Sequence, residues 1–272
     1  MTFDISIVLP AKNEAGNIEA LLLDISRVMA DADHEIIVVD DASTDQTRDV
    51  LARLRRRMPQ LRVVCHQSSC GQSAAIRSGI LAAKGRIIAT LDADGQNPPE
   101  NLPDLLRPLL DAPAGDRIGL VQGQRVGRKD TRSKRWASKL ANRIRGGLLG
   151  DGVSDSGCGL KAFPREVYLN LAFFDHIHRF MPAMIKREGW TVVTVPVTHA
   201  ERASGRSNYN NFQRARVGAV DLLGVAWLMR RRRLPVVRDL PMSAGLDAPA
   251  RSTASSGHNP AFGQSTTVEA AL

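Results

Sequence analysis

The chain has 272 residues, 43% hydrophobic and 24% charged, enough to bury a substantial core and unlike either a disordered chain or an integral membrane protein. Its formal charge of +9 and pI near 10.1 point to an anionic partner, which could be nucleic acid, a phosphorylated substrate or an acidic membrane surface. Three cysteines, Cys65, Cys70 and Cys158, form no CxxC pair, so neither a disulfide framework nor a zinc site is expected.

The N-terminal segment MTFDISIVLPAKNE has no basic stretch followed by an apolar run and a cleavage site, so no signal peptide and a cytoplasmic location are expected. Strand-like runs at 5–9, 35–40, 61–66, 86–91 and 118–124 alternate with amphipathic segments, the pattern of a mainly parallel sheet flanked by helices. Between the first two runs, Ile18, Leu21, Leu22, Ile25, Val28 and Met29 recur at helical spacing and predict a helix packed on that sheet. A second helix is predicted after Ser43 or Asp45, and a third after Gly71.

Beyond Gln124 the rhythm breaks into a basic helical segment at 135–145, a Gly-rich loop at 150–159, a mixed region and a strand at 191–197. The apolar run at 217–229 is shorter than the roughly 18 residues a membrane span needs, contains Asp221 and leads into four arginines at 230–233. Such a profile suits a helix lying on an anionic membrane; a core-packed last helix with a solvated basic end is the alternative. From about 240 the composition turns to Ala, Ser, Thr, Gly and Pro, as in a disordered tail. The expected organisation is one domain at 1–229, ending in the interfacial helix at 211–229, followed by a basic segment and tail at 230–272.

In open α/β sheets ligands bind beyond the carboxyl ends of the strands. Three of these ends are chemically rich: Pro10-Ala11-Lys12-Asn13-Glu14, Asp40-Asp41-Ala42-Ser43-Thr44-Asp45 and Asp92-Ala93-Asp94-Gly95-Gln96. Carboxylates at i and i+2 of extended chain project to one side, so Asp92 and Asp94 can share a cation. Their hard oxygens, with Gln96 in the same register, suit magnesium or manganese. Asp31-Ala32-Asp33 has the same spacing but precedes a strand, at the opposite edge, and reads as a solvated turn. Asp41 can accept a base N–H, and the 10–14 loop can line a base or ribose.

The segments IVLPAKNE, IIVVDDASTDQT and TLDADGQNPPENL resemble the signature of glycosyltransferase family 2, and within it the dolichol-phosphate mannose synthase and polyprenyl-phosphate glycosyltransferase branch, over about residues 6–228. The resemblance implies a GT-A type nucleotide-sugar-binding fold and inverting transfer dependent on Mg or Mn. By the same resemblance Pro10, Lys12, Glu14, Val39 and Asp41 contact the nucleoside, and Asp92, Ala93, Asp94 and Gln96 the metal and diphosphate. Arg125 then falls near phosphates, Ser138 in an acceptor-phosphate position and Arg202 on the arginine of an R-x-x-G-x-S-K pattern. Asn208 departs from that pattern's lysine, with Arg206 two residues away, and Asn97 replaces a histidine after Gln96.

A hydroxyl acceptor normally needs a carboxylate base, whereas a phosphate monoester, with a second pKa of about 6, is already largely a dianion at neutral pH. The 154–159 loop lacks the adjacent Glu-Asp pair of hydroxyl-using relatives, so a polyprenyl phosphate acceptor is expected, held near Asp155 and Ser156. Asp155 as a base for a hydroxyl is the competing reading. Cations from Arg125, Arg128, Arg132, Lys134, Arg135, Lys139, Arg143 and Arg202 could guide such an anion. Nucleic acid is not expected as a partner, because aromatics make up only 4% and are absent from the arginine run. A dinucleotide oxidoreductase is not expected either, since no G-x-G-x-x-G follows the first strand. His176 and His178 lack an evident third ligand and are expected to pack or face solvent.

Overall fold

A computed structural model describes residues 3–113, 115–126, 145–200 and 211–233, with the side chains of 211–216 excepted. The elements run β1 (Ile5–Ala11), α1 (Ile18–Val28), β2 (His34–Asp40), α2 (Thr47–Arg55), β3 (Leu61–Cys65), α3 (Gln72–Ala82) and β4 (Ile87–Thr90), each within a few residues of the position expected. There follow a 3-10 turn (Pro99–Asn101), α4 (Leu102–Leu110), β5 (Ile118–Arg125), β6 (Lys161–Pro164), α5 (Arg165–Leu169), α6 (Ile177–Arg187), β7 (Thr191–Val197) and α7 (Asn211–Arg230). Described residues up to Arg232 belong to one compact unit.

The seven strands form one sheet in the order β3-β2-β1-β4-β6-β5-β7. All pairs are parallel except those of β6, which runs antiparallel to β4 and β5. Sequence periodicity shows only a mixed region at 160–190, because β6 is too short at four residues to announce itself. Its consequence is geometric: it delivers the 154–160 loop and Lys161 to the edge where the parallel strands end.

Alternation along the strands fills both faces. Ile5, Ile7 and Leu9 of β1, with Ile36 and Val38 of β2, pack under α1, α2 and α4. Val8, Ile37 and Val39 face the other way, toward α3, α5, α6 and the end of α7. This period-two division is what a sheet covered on both sides requires. Gly79 permits the close approach of α3, since a Cβ there would lie 2.4 Å from Val8 Cγ1.

Candidate functional site

The carboxyl ends of β1, β2, β3, β4, β5 and β7 and the start of β6 share one edge, and the chemically rich loops meet there. The first two interlock. Asn13, at φ 58°, occupies the left-handed region that asparagine tolerates better than most residues. Its N–H donates to Ser43 Oγ at 2.9 Å and its Oδ1 accepts the Thr44 N–H at 2.8 Å. The Glu14 N–H donates to Thr47 Oγ1 and the Ala15 N–H to Asp45 Oδ2. Asp45 is therefore a turn-organising carboxylate, as its position before α2 suggests.

Asp41 gathers four donors. Oδ1 accepts from His66 Nδ1 at 2.8 Å and the Cys70 N–H at 2.7 Å; Oδ2 accepts from Ser69 Oγ at 2.7 Å and the Gly71 N–H at 3.0 Å. Burial alone would push this carboxyl up, but the donors from Cys70, His66, Ser69 and Gly71 outweigh it and hold it down at about 2. Lys12 Nζ donates to Ser69 Oγ at 2.8 Å, which joins the first loop to the same network. Asp41 thus shapes the 66–71 loop, a role that no single-residue reading of the sequence disclosed.

Of the other expected nucleoside contacts, Pro10 is half-buried and Glu14 partly exposed at the cleft. Val39 is wholly buried against α3, and Ala93 is buried in the opposite core, so neither side chain opens to the cleft.

Asp92 and Asp94 follow β4 in the expected place. Asp92 Oδ1 accepts from Gln72 Nε2 at 2.8 Å and Oδ2 from Asn97 Nδ2 at 3.3 Å, while Asp94 Oδ1 accepts the Gln96 N–H at 3.1 Å. Burial and the neighbouring Asp94 push the Asp92 carboxyl above its ordinary range, against the pull of Lys161, Asn97 and Arg125. Two carboxylates that repel one another, with oxygen donors only, fit a hard divalent cation, which would relieve the repulsion. Three supporting residues escaped the sequence reading: Gln72 at the start of α3, Lys161 at the start of β6, and Gly159. A Cβ on Gly159 would lie 2.1 Å from Asp92 Oδ2, so the backbone there is the wall against which Asp92 rests. Thr90 Oγ1 holds that wall by donating to the Gly159 carbonyl at 2.8 Å.

Lys161 is 3% exposed and donates to the Ser156 and Cys158 carbonyls. Its burial lowers its pKa, although Cys158, Asp92 and Asp155 favour the charged form. Burial likewise pushes the Cys158 thiol up. Ser156 is buried and offers Lys161 its carbonyl.

Arg125, at the end of β5, makes a two-pronged ion pair with Asp155: Nε to Oδ2 at 2.7 Å and Nη2 to Oδ1 at 2.7 Å, with the Arg125 N–H 3.3 Å from Oδ2. Both side chains are largely buried. The bond to Asp155 raises the arginine further against the cost of burial. After β7, the Ala200 N–H donates to the Gln96 carbonyl at 2.9 Å, which brings the chain past the Asp92–Asp94 loop. Ser138 and Arg202 lie outside the described residues, as do Arg128, Arg132, Lys134, Arg135, Lys139, Arg143, Arg206 and Asn208.

The histidines pack: His178 Nδ1 is 2.6 Å from Ser73 Oγ, and His176 Nδ1 lies 3.0 Å from Asp221 of α7. The cysteine spacing predicts no metal cluster, and that spacing does not register one grouping that the fold creates. Folding brings Asp41, His66 and Cys70 together from two strand ends, with potential ligand atoms within 4.8 Å of one another. Local Cys spacing is blind to such a set, because Asp41 comes from a different strand.

Residues 6–171 match the model of glycosyl transferase family 2. A dodecaprenyl-phosphate galacturonate synthase from Rhizobium johnstonii is 34% identical over 247 residues, covering 86% of this chain and 70% of that protein. An undecaprenyl-phosphate 4-deoxy-4-formamido-L-arabinose transferase from Pseudomonas syringae is 35% identical over 210 residues, and the chain spans only 60% of its length. A glucosyl-3-phosphoglycerate synthase from Mycobacterium tuberculosis, solved with Mn2+, UDP and glucosyl-3-phosphoglycerate, superposes with a TM-score of 0.62 over 84% of this chain and 80% of that one. At 22% identity this is a likeness of fold.

Proposed function

The chain belongs to glycosyl transferase family 2 and has its GT-A fold, and from that premise we propose that it transfers a hexose, with inversion, from a GDP- or UDP-sugar to a polyprenyl phosphate. The relatives named for dodecaprenyl- and undecaprenyl-phosphate sugar transfer support that acceptor. The observation that carries the reading within the site is the ion pair of Arg125 with Asp155. The carboxylate best placed by sequence to act as a base is clamped by a guanidinium through both oxygens. A carboxylate so held is a poor proton acceptor, and a phosphate nucleophile does not need one.

In the proposed reaction an oxygen of the lipid phosphate attacks the anomeric carbon from the face opposite the nucleoside diphosphate. The new C–O bond forms as the bond to the diphosphate breaks, and the electron pair departs with the nucleoside diphosphate. Asp92 and Asp94, with Gln96 beside them, would hold Mg2+ or Mn2+, which supplies charge neutralisation for the leaving diphosphate. Gln72, Asn97 and Gly159 fix Asp92, and burial among Lys161 and Arg125 keeps its surroundings cationic. Asp155 orients Arg125 through Nε and Nη2, and the guanidinium is assigned to a phosphate. Asp41 and the 10–14 loop line the nucleoside side, and Ser138, Ser156 and Arg202 are assigned to the acceptor and phosphate side.

We assign docking on the membrane to α7. Val220, Leu223 and Trp227 are 66%, 67% and 58% exposed and recur at three- and four-residue spacing on one face. Arg231 lies over the Trp227 ring at 5.4 Å, beside the arginine run at 230–233. Among the described residues no helix is long and apolar enough to cross a membrane. An apolar stripe with a basic end suits attachment to the cytoplasmic face of an anionic bilayer.

The acceptor reading is tested with Asp155→Asn. A phosphate nucleophile predicts less than about a hundredfold loss of turnover together with lowered stability, because Arg125 loses its partner. Loss of about 10³-fold or more in a protein of unchanged melting temperature would instead make Asp155 a general base and the acceptor a hydroxyl.

A further inference from the structure

The 66–71 loop and Asp41 together form a second constellation, of which the transfer reading uses Asp41 alone. Asp41 and His66 are nearly enclosed, with 6% and 14% of their side chains exposed, whereas Cys70 is exposed. The Cys70 thiol donates to the Ser68 carbonyl at 3.3 Å, and its own N–H is already bound to Asp41 Oδ1. The loop is therefore folded so that a carboxylate, an imidazole and a thiol converge from inside, with one side open to solvent.

We propose that Asp41, His66 and Cys70 form a binding site for a soft divalent cation of the Zn2+ class, separate from the all-oxygen Asp92–Asp94 pair. Imidazole and thiolate favour zinc over magnesium. Tetrahedral ligands about 2.0–2.3 Å from zinc stand about 3.3–3.8 Å apart, so the observed grouping needs small side-chain rotations and no refolding.

Ser78 makes the histidine competent in both states. Without a cation, His66 Nδ1–H donates to Asp41 and Nε2 accepts from the Ser78 hydroxyl, the two bonds at 2.8 and 2.9 Å. With a cation, the Nδ1 lone pair turns to the metal and Nε2–H donates to the same Ser78 oxygen, the usual outer-shell arrangement for a ligating histidine. The imidazole proton only changes nitrogen. The Cys70 thiol proton is released, one per cation bound, and water completes the fourth position on the open side. Because the transfer reading assigns Asp41 to the nucleoside, occupation of this site would also exclude the donor; that consequence rests on the transfer reading, and the site itself does not.

The test is a Co2+ titration of the full chain without donor, followed by the thiolate-to-metal charge-transfer absorbance in the near ultraviolet. One equivalent is expected to give the band. Cys70→Ser should abolish it, Cys65→Ser should retain it, and Ser78→Ala should weaken binding at least tenfold. Zn2+ should bleach the band stoichiometrically, and Mg2+ should not. Absence of the band at saturating Co2+, or its survival in Cys70→Ser, would overturn the proposal. Cys70→Ser alters an exposed side chain, and an unchanged melting temperature establishes that lost absorbance is lost ligation. None of these readings depends on sugar transfer, so the two proposals fail separately.

Discussion

Replacing Gly159 with alanine adds one methyl group at the point where the 154–160 loop touches Asp92. The added Cβ would stand 2.1, 2.4 and 2.7 Å from Oδ2, Cγ and Oδ1 of that carboxylate, where ordinary contacts begin at 3.4 Å. The backbone of Gly159 is not in the left-handed region, so the cost is steric and falls on Asp92. That side chain cannot step aside freely, being held by Gln72 and Asn97 and carried by the end of β4. The carboxylate must withdraw by about 1 Å, and misplacement on that scale costs about a hundredfold in rate. Overpacking should also remove about 1–3 kcal/mol of stability. The readouts are Mn2+ affinity by electron paramagnetic resonance, transfer rate, and melting temperature. Gly157→Ala is the control, since its Cβ would meet nothing closer than 3.8 Å. Mn2+ affinity and rate within twofold of the parent in Gly159→Ala would refute the claim that Gly159 sets Asp92's position.

Asp41→Asn should cost about 2.5 kcal/mol at neutral pH, because a carboxyl held at about 2 is compared with about 3.9 in the unfolded chain. The sign follows from the depression: the contribution is complete above pH 4 and is lost as pH falls toward 2, so parent and variant denaturation midpoints should converge there. Binding of Mn2+ should weaken on acidification from above the usual carboxylate range, since burial and Asp94 hold Asp92 up. Asp94→Asn should lower the Asp92 pKa, measured by carboxyl carbon NMR, while weakening Mn2+ at least tenfold; an unmoved pKa would contradict the assigned repulsion. Leu223→Glu with Trp227→Glu should abolish sedimentation with vesicles containing anionic lipid and leave transfer to a short, soluble prenyl phosphate intact. Undiminished vesicle binding would remove α7 as the docking face.

The sequence was most legible where local rules act alone. Strand alternation and the apolar stripe of α1 placed the first four strands and three helices, and the edge rule picked out Asp41, Asp92 and Asp94 over the decoy Asp31 and Asp33. It was opaque where the contact depends on topology. Nothing local to Lys161, Gly159 or Gln72 connects them to Asp92: the antiparallel insertion of β6 and the placement of α3 do. Asp155 looked like an available base because its partner, Arg125, lies thirty residues away in the chain and only β5 brings the two together. The gathering of His66 and Cys70 around Asp41 was hidden for the same reason, since β2 and β3 supply its halves.

The central claim is tested most directly by incubating the full chain with radiolabelled GDP- and UDP-sugars and polyprenyl phosphate, with Mg2+ or Mn2+ and with a chelator. Metal-dependent label in an organic-soluble, mild-acid-labile product is the predicted result. Donor consumption with no lipid product, or transfer only to hydroxyl acceptors, would contradict it.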